Sequence, residues 1–391
     1  MRALTFLEFF AGGGMARAGL GDAWRCLFAN DFDAMKVATY AANWGADHIR
    51  HADVATLGLD DLPAGVADLA WASCPCQDLS LAGGYRGLGG ERDNIPTRSG
   101  TFWPFWRLML SLHRGGRPPR AIVLENVYGS LTSRQGQDFA ALVGALAKAD
   151  YRVGAIVINA ARFVPQSRPR VFFIAVGPSE DLGGAPIAGA PSDLWHPAAL
   201  RQAHAGLSRA LRRQWLWWTP PEPGPRAAAF ADIIEARPDG VKWRTAEETA
   251  YLLSLMSDLN RAKVVAAQRA GRRRVGAVYR RTRPDENGGK RQRAEVRFDD
   301  VSGCLRTPAG GSSRQTILVV EGAKVRSRLL SPREAARLMG LADDYRLPAR
   351  YNDAYHVCGD GVCVPVVRFI AQTILEPILA HDAPANRMAA A

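Results

Sequence analysis

Cys76 follows Pro75 in the run WASCPCQDLS, at the end of a short apolar stretch and directly before the glycine-rich segment LAGGYRGLGGERDNIPTRSG. A thiol beside a proline at the C-terminal end of a parallel strand faces the crevice where α/β proteins bind ligands. There it can act as a nucleophile if positive groups lower its pKa from the roughly 8.5 of a free cysteine. The alternative is a buried structural cysteine, the role we give to Cys74, which lies deeper on the same strand. The glycine-rich segment reads as a mobile lid and shifts Cys76 towards chemistry. RAIVLENV carries Glu125 and Asn126 to the end of another apolar strand. A carboxylate there serves as a general acid or hydrogen-bond donor, or else caps the next helix or pairs with an arginine. In VPQSRPRVFFIAV, Gln166, Arg168 and Arg170 alternate and so share a face. Two arginines on it could bind a phosphate or position Glu125 and the substrate, or simply stand solvated on an edge strand.

These side chains need a scaffold, and residues 1–178 supply one by alternating β-rich runs with helical patterns, the signature of an α/β sheet with crossover helices. Strands are expected at Leu4–Phe10, Arg25–Asn30, Asp68–Cys74, Ala121–Glu125, Val153–Asn159 and Val171–Val176. The first runs into FAGGG and then a helix, and Asp31 stands 19 residues after Gly12 at the end of the second. Glycines there let a ligand approach the backbone, and the acid takes ribose hydroxyls; a tight structural turn is the competing explanation. Arg17 occupies the place of the third glycine of a dinucleotide fingerprint, which disfavours NAD and FAD. S-adenosylmethionine, with adenine, ribose and a sulfonium but no phosphate, suits the pattern better.

The stretch from Gly177 to Pro197 is rich in Gly, Ala and Pro and reads as a linker. Beyond it the chain turns irregular, aromatic and basic; Arg261–Asp300 alone has 13 Lys/Arg against 5 Asp/Glu, or +8 of the total +12. Concentrated positive charge fits phosphate contacts, or a solvated arginine-rich face. After it, SPREAARLMGL predicts a helix capped by Ser331 with Pro332 in its first turn, and Val362–Leu379 a further amphipathic helix.

The 391 residues, 47% hydrophobic and 23% charged, belong to a folded protein of more than one module and exclude a disordered chain or a small scaffold. No run reaches the roughly 18 consecutive apolar residues of a membrane helix, and Glu8 interrupts the apolar N-terminus, so a signal peptide is disfavoured and the cytosol is the expected location. The six cysteines, Cys26, Cys74, Cys76, Cys304, Cys358 and Cys363, match neither a dense disulfide framework nor paired zinc knuckles.

Taken in order, FAGGG, PCQ, ENV, QSRPR, RLLSPREAARLMG and GDGVCVPVV make the sequence resemble the cytosine-5 DNA methyltransferases over about Thr5–Gly177 and Arg328–Pro377. The resemblance implies an α/β fold: an S-adenosylmethionine-dependent methyltransferase Rossmann-like sheet, mixed through one late antiparallel strand, with an inserted small target recognition domain. Its divisions would be 1–178 for cofactor binding and catalysis, 179–327 for target recognition and 328–391 for the return to the catalytic domain. By the same resemblance Cys76 attacks carbon 6 of cytosine, Glu125 contacts ring nitrogen 3 and the exocyclic amine, and Arg168 and Arg170 hold the flipped base and order Glu125. Phe10, Ala11, Gly12, Gly14, Val54, Pro75 and Val362 line the cofactor, Asp31 takes the ribose, Phe32 stacks on adenine and Asp53 bonds its amino group. Gln77, Ser80, Gln166, Thr307 and Arg314 face the nucleic acid, Thr307 within a segment, CLRTPAGGSSRQT, that resembles the family's turn against the distorted strand.

The implied partners are double-stranded DNA and a cognate restriction or defence system; the implied state is a monomer, the product S-adenosylhomocysteine, and no metal or membrane is involved. One departure stands out: Asp360 occupies the place of the family's usual Asn in its GNxV motif. Its carboxylate either favours the sulfonium of the cofactor or caps the helix beginning near Val362. A tRNA-directed member of the family and a catalytically silent DNA-binding regulator are the rival functions. The length of Ser179–Lys324 disfavours the first, and the intact PCQ, ENV and QSRPR set disfavours the second.

Overall fold

The computed structural model describes residues 2–75, 101–284, 289–307 and 314–380. Its backbone divides into two compact units, one from the described residues of 1–159, 169–223 and 362–391, the other from those of 160–168 and 224–361.

The first unit is built on β1 (Leu4–Phe9), α1 (Met15–Leu20), β2 (Trp24–Asp31), α2 (Ala34–Trp44), β3 (Ile49–His51), β4 (Leu69–Ala72), α3 (Phe102–Arg114), β5 (Ala121–Val127), α4 (Gln137–Lys148), β6 (Arg152–Asn159) and β7 (Pro169–Val176). It continues through β8 (Ile187–Ala188), α5 (Ala198–Ala205), α6 (Arg209–Arg213) and β9 (Trp215–Trp218). The strands form one nine-stranded sheet in the order β3-β2-β1-β4-β5-β7-β6-β9-β8. β1 is buried along its whole length, as a strand covered on both faces must be. From β3 to β5 all neighbours are parallel, whereas β7 runs antiparallel to both β5 and β6. The order reverses between β1 and β4, so the crevice beyond their C-terminal ends is where an open α/β sheet takes a ligand.

Aromatic contacts fill the core beneath: Phe9 meets Phe105 edge-on at 5.1 Å, and Phe139 lies 5.6 Å from Phe173 and 5.7 Å from Trp215. The stretch expected to be a linker is instead tied into the sheet. Trp195 is fully buried, its indole donates to the Pro220 carbonyl at 2.8 Å, and its own carbonyl accepts from Val157 N–H at 2.9 Å. A two-residue strand and one anchoring tryptophan leave no periodicity in the sequence to detect.

The second unit carries α7 (Ala246–Ser254), α8 (Asp258–Arg269), β10 (Arg274–Pro284), β11 (Lys290–Arg297), β12 (Thr316–Glu321), β13 (Lys324–Leu329), α9 (Pro332–Leu338) and α10 (Tyr351–Asp360). Its four strands are antiparallel in the order β11-β10-β12-β13. Leu252 and Met256, at and just after α7, and Val264 and Ala267 of α8 pack on Val278, Ala294 and Leu318 of one sheet face. α9 starts as expected: Ser331 accepts from Glu334 N–H at 3.1 Å while Glu334 accepts from Ser331 N–H at 2.8 Å. Glu334 also holds the fully buried Arg328 at 2.6 Å.

α11 (Val364–Ile370) returns the chain to the first unit, where a Cβ on Gly19 would come within 2.4 Å of Val367 Cβ. The helical run Tyr351–Leu379 is long and apolar enough to cross a membrane, yet 61% of its most apolar window is buried inside the protein.

Near the other end of the sheet, Arg120 donates to Asp68 at 2.9 Å, to both carboxylate oxygens of Glu180 at 3.0 and 2.6 Å, and to the Leu379 carbonyl at 2.9 Å. All three charged side chains are buried, so removing the cation strands Glu180 in the core and leaves Asp68 to Arg2 and Thr5. Arg120→Met is expected to lower unfolding stability by about 3–5 kcal/mol, read as a reduced urea midpoint; a shift under about 1 kcal/mol would mean the network behaves like a surface pair.

Candidate active site

The turn after β1 is left-handed at Phe10, Gly12 and Gly14, with φ of 56°, 56° and 78°. Gly14 must lack a side chain, since a Cβ would lie 2.4 Å from Trp44 Nε1. Among the described residues, a Cβ on Gly12 would meet nothing within 4 Å, so the backbone there borders open space. The turn is fixed from below: Ala11 N–H donates to the Asn30 carbonyl at 2.8 Å, and Gly12 N–H to Asp31 Oδ2 at 2.9 Å. Asp31 Oδ1 accepts from Asp33 N–H at 2.9 Å, and burial raises the pKa of this carboxyl. Asp31 thus stands at the end of β2 as expected, and it also fixes the glycine turn.

Phe32, next to it, is 66% exposed, an unusual position for a large apolar ring. Asp53 caps the turn Val54–Thr56 by accepting from Ala55 N–H at 2.9 Å, and Val54 beneath is buried. Arg17, in the place of a third glycine, lies against Tyr40 and Trp44, 5.7 and 5.3 Å from their rings.

In the sequence Glu8 stands as a break in the apolar N-terminus. The structure buries it in the middle of β1, beside the backbone of Ala16 and Arg17 at the start of α1. Burial pushes its carboxyl up to about 8 against those backbone groups and the Arg17 charge. A carboxylate inside an apolar strand was the available signal.

Across the switch point, Pro75 follows the buried Cys74. Cys76, Gln77, Ser80 and the glycine-rich segment lie outside the described residues. Glu125 lies two residues before the end of β5, and Arg170, the second residue of β7, stands opposite Val127. The two side chains are therefore diagonal neighbours on one sheet face, and Arg170 Nε lies 3.0 Å from Glu125 Oε1. That contact is an ion pair off the hydrogen-bond direction, and among the described residues buried Oε1 has no hydrogen-bond partner. An acceptor in that state is open to a donor from a ligand.

Gln166 and Arg168 belong to the second unit, so the alternation that placed them with Arg170 does not bring all three together. β7 begins only at Pro169. Gln166 donates to the Leu338 carbonyl at 2.7 Å and accepts from Leu305 N–H at 3.0 Å. Arg168 donates to the carbonyls of Leu305, Gly359 and Gly361 at 3.2, 3.0 and 2.7 Å and to Cys304 Sγ at 3.4 Å. Pairing with Glu125 falls to Arg170, while Arg168 clamps backbone.

Gly359 has no room for a side chain because a Cβ would lie 2.8 Å from the Arg306 carbonyl carbon. Thr307 Oγ1 donates to the Asp360 carboxylate. Asp360 is the last residue of α10, and the N-cap of α11 is Cys363, so the capping role considered for Asp360 is not the one it takes. Arg314 is exposed and donates to Asn352 Oδ1 at 2.7 and 3.1 Å.

A mostly parallel sheet with a glycine turn, an acid closing the second strand and a further carboxylate across the switch point defines a Rossmann-like cofactor-binding enzyme. The family model for C-5 cytosine-specific DNA methylase matches residues 4–376. The chain belongs to that family and is a DNA (cytosine-5-)-methyltransferase. It is similar to the Type II methyltransferase M.NlaX of Neisseria lactamica, 27% identical over 370 residues covering 94% of each chain. With M.HpaII of Haemophilus parainfluenzae it shares 25% over 397 residues, 96% of this chain and 90% of that one. Among solved structures, the fold resembles Entamoeba histolytica EhMeth, with a TM-score of 0.60 at 12% identity over 96% and 98% of the chains. Schizosaccharomyces pombe Dnmt2 gives 0.55 at 17% identity over 96% and 99%.

Glu8 gives a pH test. Its carboxyl titrates near 8 in the folded protein against an ordinary 4.5, so the native state binds more protons over that interval and loses stability as pH rises through it. Glu8→Gln keeps the size of the side chain and removes the titration. Its melting temperature relative to wild type is expected to climb from about pH 4.5 to about 8 and then level off; a difference constant with pH would show that Glu8 does not titrate there.

Proposed function

We propose that the protein methylates carbon 5 of a cytosine extruded from a specific duplex DNA sequence, through a covalent adduct with Cys76. The observation that carries this reading is Glu125, a buried carboxylate near the end of β5 that is held by Arg170 and has one oxygen without a hydrogen-bond partner among the described residues. Cytosine presents a donor for it once nitrogen 3 is protonated, and its exocyclic amine is another. The target carbon is inside the base stack, so the base must leave the helix to reach the crevice.

The open ground over Gly12, the exposed ring of Phe32 and the carboxylates of Asp31 and Asp53 fit S-adenosylmethionine, with Phe10, Ala11, Gly14, Val54, Pro75, Asp360 and Val362 completing the proposed cofactor set. When bound, it supplies an electrophilic methyl group on a sulfonium and leaves as S-adenosylhomocysteine.

In this mechanism the Cys76 thiolate adds to carbon 6, and Glu125 stabilises the ring by hydrogen bonds at nitrogen 3 and the amine. Negative charge gathers at carbon 5, the carbon that is methylated. A base then removes the carbon 5 proton, and the Cys76–carbon 6 bond breaks as the aromatic ring reforms. Arg170 fixes Glu125, and Arg168 and Gln166 fix the backbone around Leu305 and Gly359. Gln77, Ser80, Thr307 and Arg314 are assigned to the nucleic acid. The Type II names of M.NlaX and M.HpaII support a restriction-modification setting with a cognate endonuclease.

Cys76→Ala is expected to abolish methyl transfer from labelled cofactor while sparing DNA binding, and the wild type to form a denaturation-resistant complex on duplex DNA containing 5-fluorocytosine. Normal transfer by Cys76→Ala, or trapping lost in Cys74→Ala alone, would overturn the assignment. Arg170→Gln frees Glu125 from its ion pair and should lower kcat by at least tenfold with little change in KM for S-adenosylmethionine; bisulfite sequencing of DNA treated with wild type gives the target sequence.

A further inference from the structure

β10 and β11 outrun their sheet. β10 pairs with β12 only over Arg274–Val278, whereas its pairing with β11 continues to Pro284 opposite Lys290. From Tyr279 onward, among the described residues, β10 pairs with β11 alone, and β11 is met on its outer side only where Ala294 bridges to Met256. The residues of this two-stranded ribbon, Tyr279–Pro284 and Lys290–Glu295, include six Lys/Arg and one Glu.

The register gives the ribbon two distinct faces. One face begins with Val278, Ala294 and Val296, which are covered by α7 and α8, and ends with Arg280 donating to Gln292 Oε1 at 2.5 Å. The other is open and places Arg281 directly opposite Arg293, both exposed. Like charges in a directly opposed pair destabilise an isolated sheet. Glu295 approaches Arg281 to only 3.7 Å, with both side chains nearly half exposed, which offsets little of that repulsion in water. The ribbon's root is firmly seated: a Cβ on Gly303 would come within 2.2 Å of the Tyr279 ring, so the two pack without a gap. Beside that root a polar cavity of about 400 Å³ is lined by Lys263, Arg281, Arg297 and Arg306 among others. The exposed, opposed arginines suit a polyanion, which would offset their mutual repulsion.

We propose that the open face of this ribbon enters the DNA major groove and that Arg281 and Arg293 read guanine edges in the target sequence. This deepens, and rests on, the duplex-DNA reading above. A major groove roughly 12 Å wide admits a two-stranded ribbon, and an arginine fork matches the O6 and N7 acceptors of guanine. The Lys263 and Arg306 cavity at the root then faces backbone phosphate.

The test separates base reading from charge. Arg281→Lys and Arg293→Lys keep the charge but lose the fork; Arg269→Ala, on the exposed side of α8, is the control. Each protein methylates a randomised duplex library that is read by bisulfite sequencing, and each is titrated with the selected duplex by gel shift at several salt concentrations. Both lysine variants are expected to melt like wild type, to lose tenfold or more in kcat/KM on the selected site and to tolerate a further base at one position, with the salt slope unchanged. Methylating guanine N7 at that position should weaken wild-type binding but not that of the matching variant. An unchanged sequence profile, or an equal loss on all sequences, overturns the proposal. If wild type binds duplex DNA but transfers no methyl group, the catalytic reading fails, and N7 interference in the gel shift still decides the ribbon's role.

Discussion

Glu125 and Arg170 face each other because β7 runs against its neighbours. In the antiparallel register Arg170 lies opposite Val127, which brings it diagonally to Glu125 on the same face at 3.0 Å. A parallel strand in that place would present its C-terminal end at the crevice, and its first residues would lie at the far edge of the sheet. Glu125 would then lie near the end of a buried apolar strand with no cation beside it, a costly position for a charge. The mixed sheet is therefore a condition of the site: the reversed strand delivers an arginine from its beginning to the edge where β1, β2, β4 and β5 finish.

The same edge is set up by carboxylates that lie against backbone. Asp31 anchors Gly12 N–H, and Glu8 is buried beside the first residues of α1. Asp31 holds a turn with three left-handed residues, two of them glycines. Such a turn, with open ground over Gly12, offers a ligand backbone groups at close range. The role that a third glycine plays in dinucleotide-binding proteins has no counterpart here, because Arg17 fills that place and lies on Tyr40 and Trp44.

What could be read from the sequence was whatever has a period or a short motif. Six strands of the first unit, the turn at Gly12, the carboxylates Asp31 and Glu125 and the Ser331 cap were all legible, each being a local pattern in a few residues. β3, β8 and β9 were not, since strands of two to four residues hold no alternation to count and are fixed by partners far away, as Trp215 is by Val153. Gln166, Arg168 and Arg170 alternate perfectly, yet the chain enters β7 between the last two, and the side chains divide between the units. Periodicity predicts a shared face only while the strand continues.

Asp360 shows the remaining limit. The sequence marks the departure from asparagine but offers no partner, and two local readings, helix cap or charge near the cofactor, are the natural ones. The structure gives Asp360 a contact 53 positions away, the hydroxyl of Thr307, beside the place where Gly359 lets the Arg306 backbone pass. An asparagine could donate or accept there, whereas an ionised carboxylate only accepts. The substitution therefore fixes the direction of the hydrogen bond: the Thr307 proton points to Asp360, and the hydroxyl oxygen is left as an acceptor. Any contact that Thr307 makes with nucleic acid must then come from its backbone or use its oxygen as acceptor, a constraint that the usual asparagine would not impose.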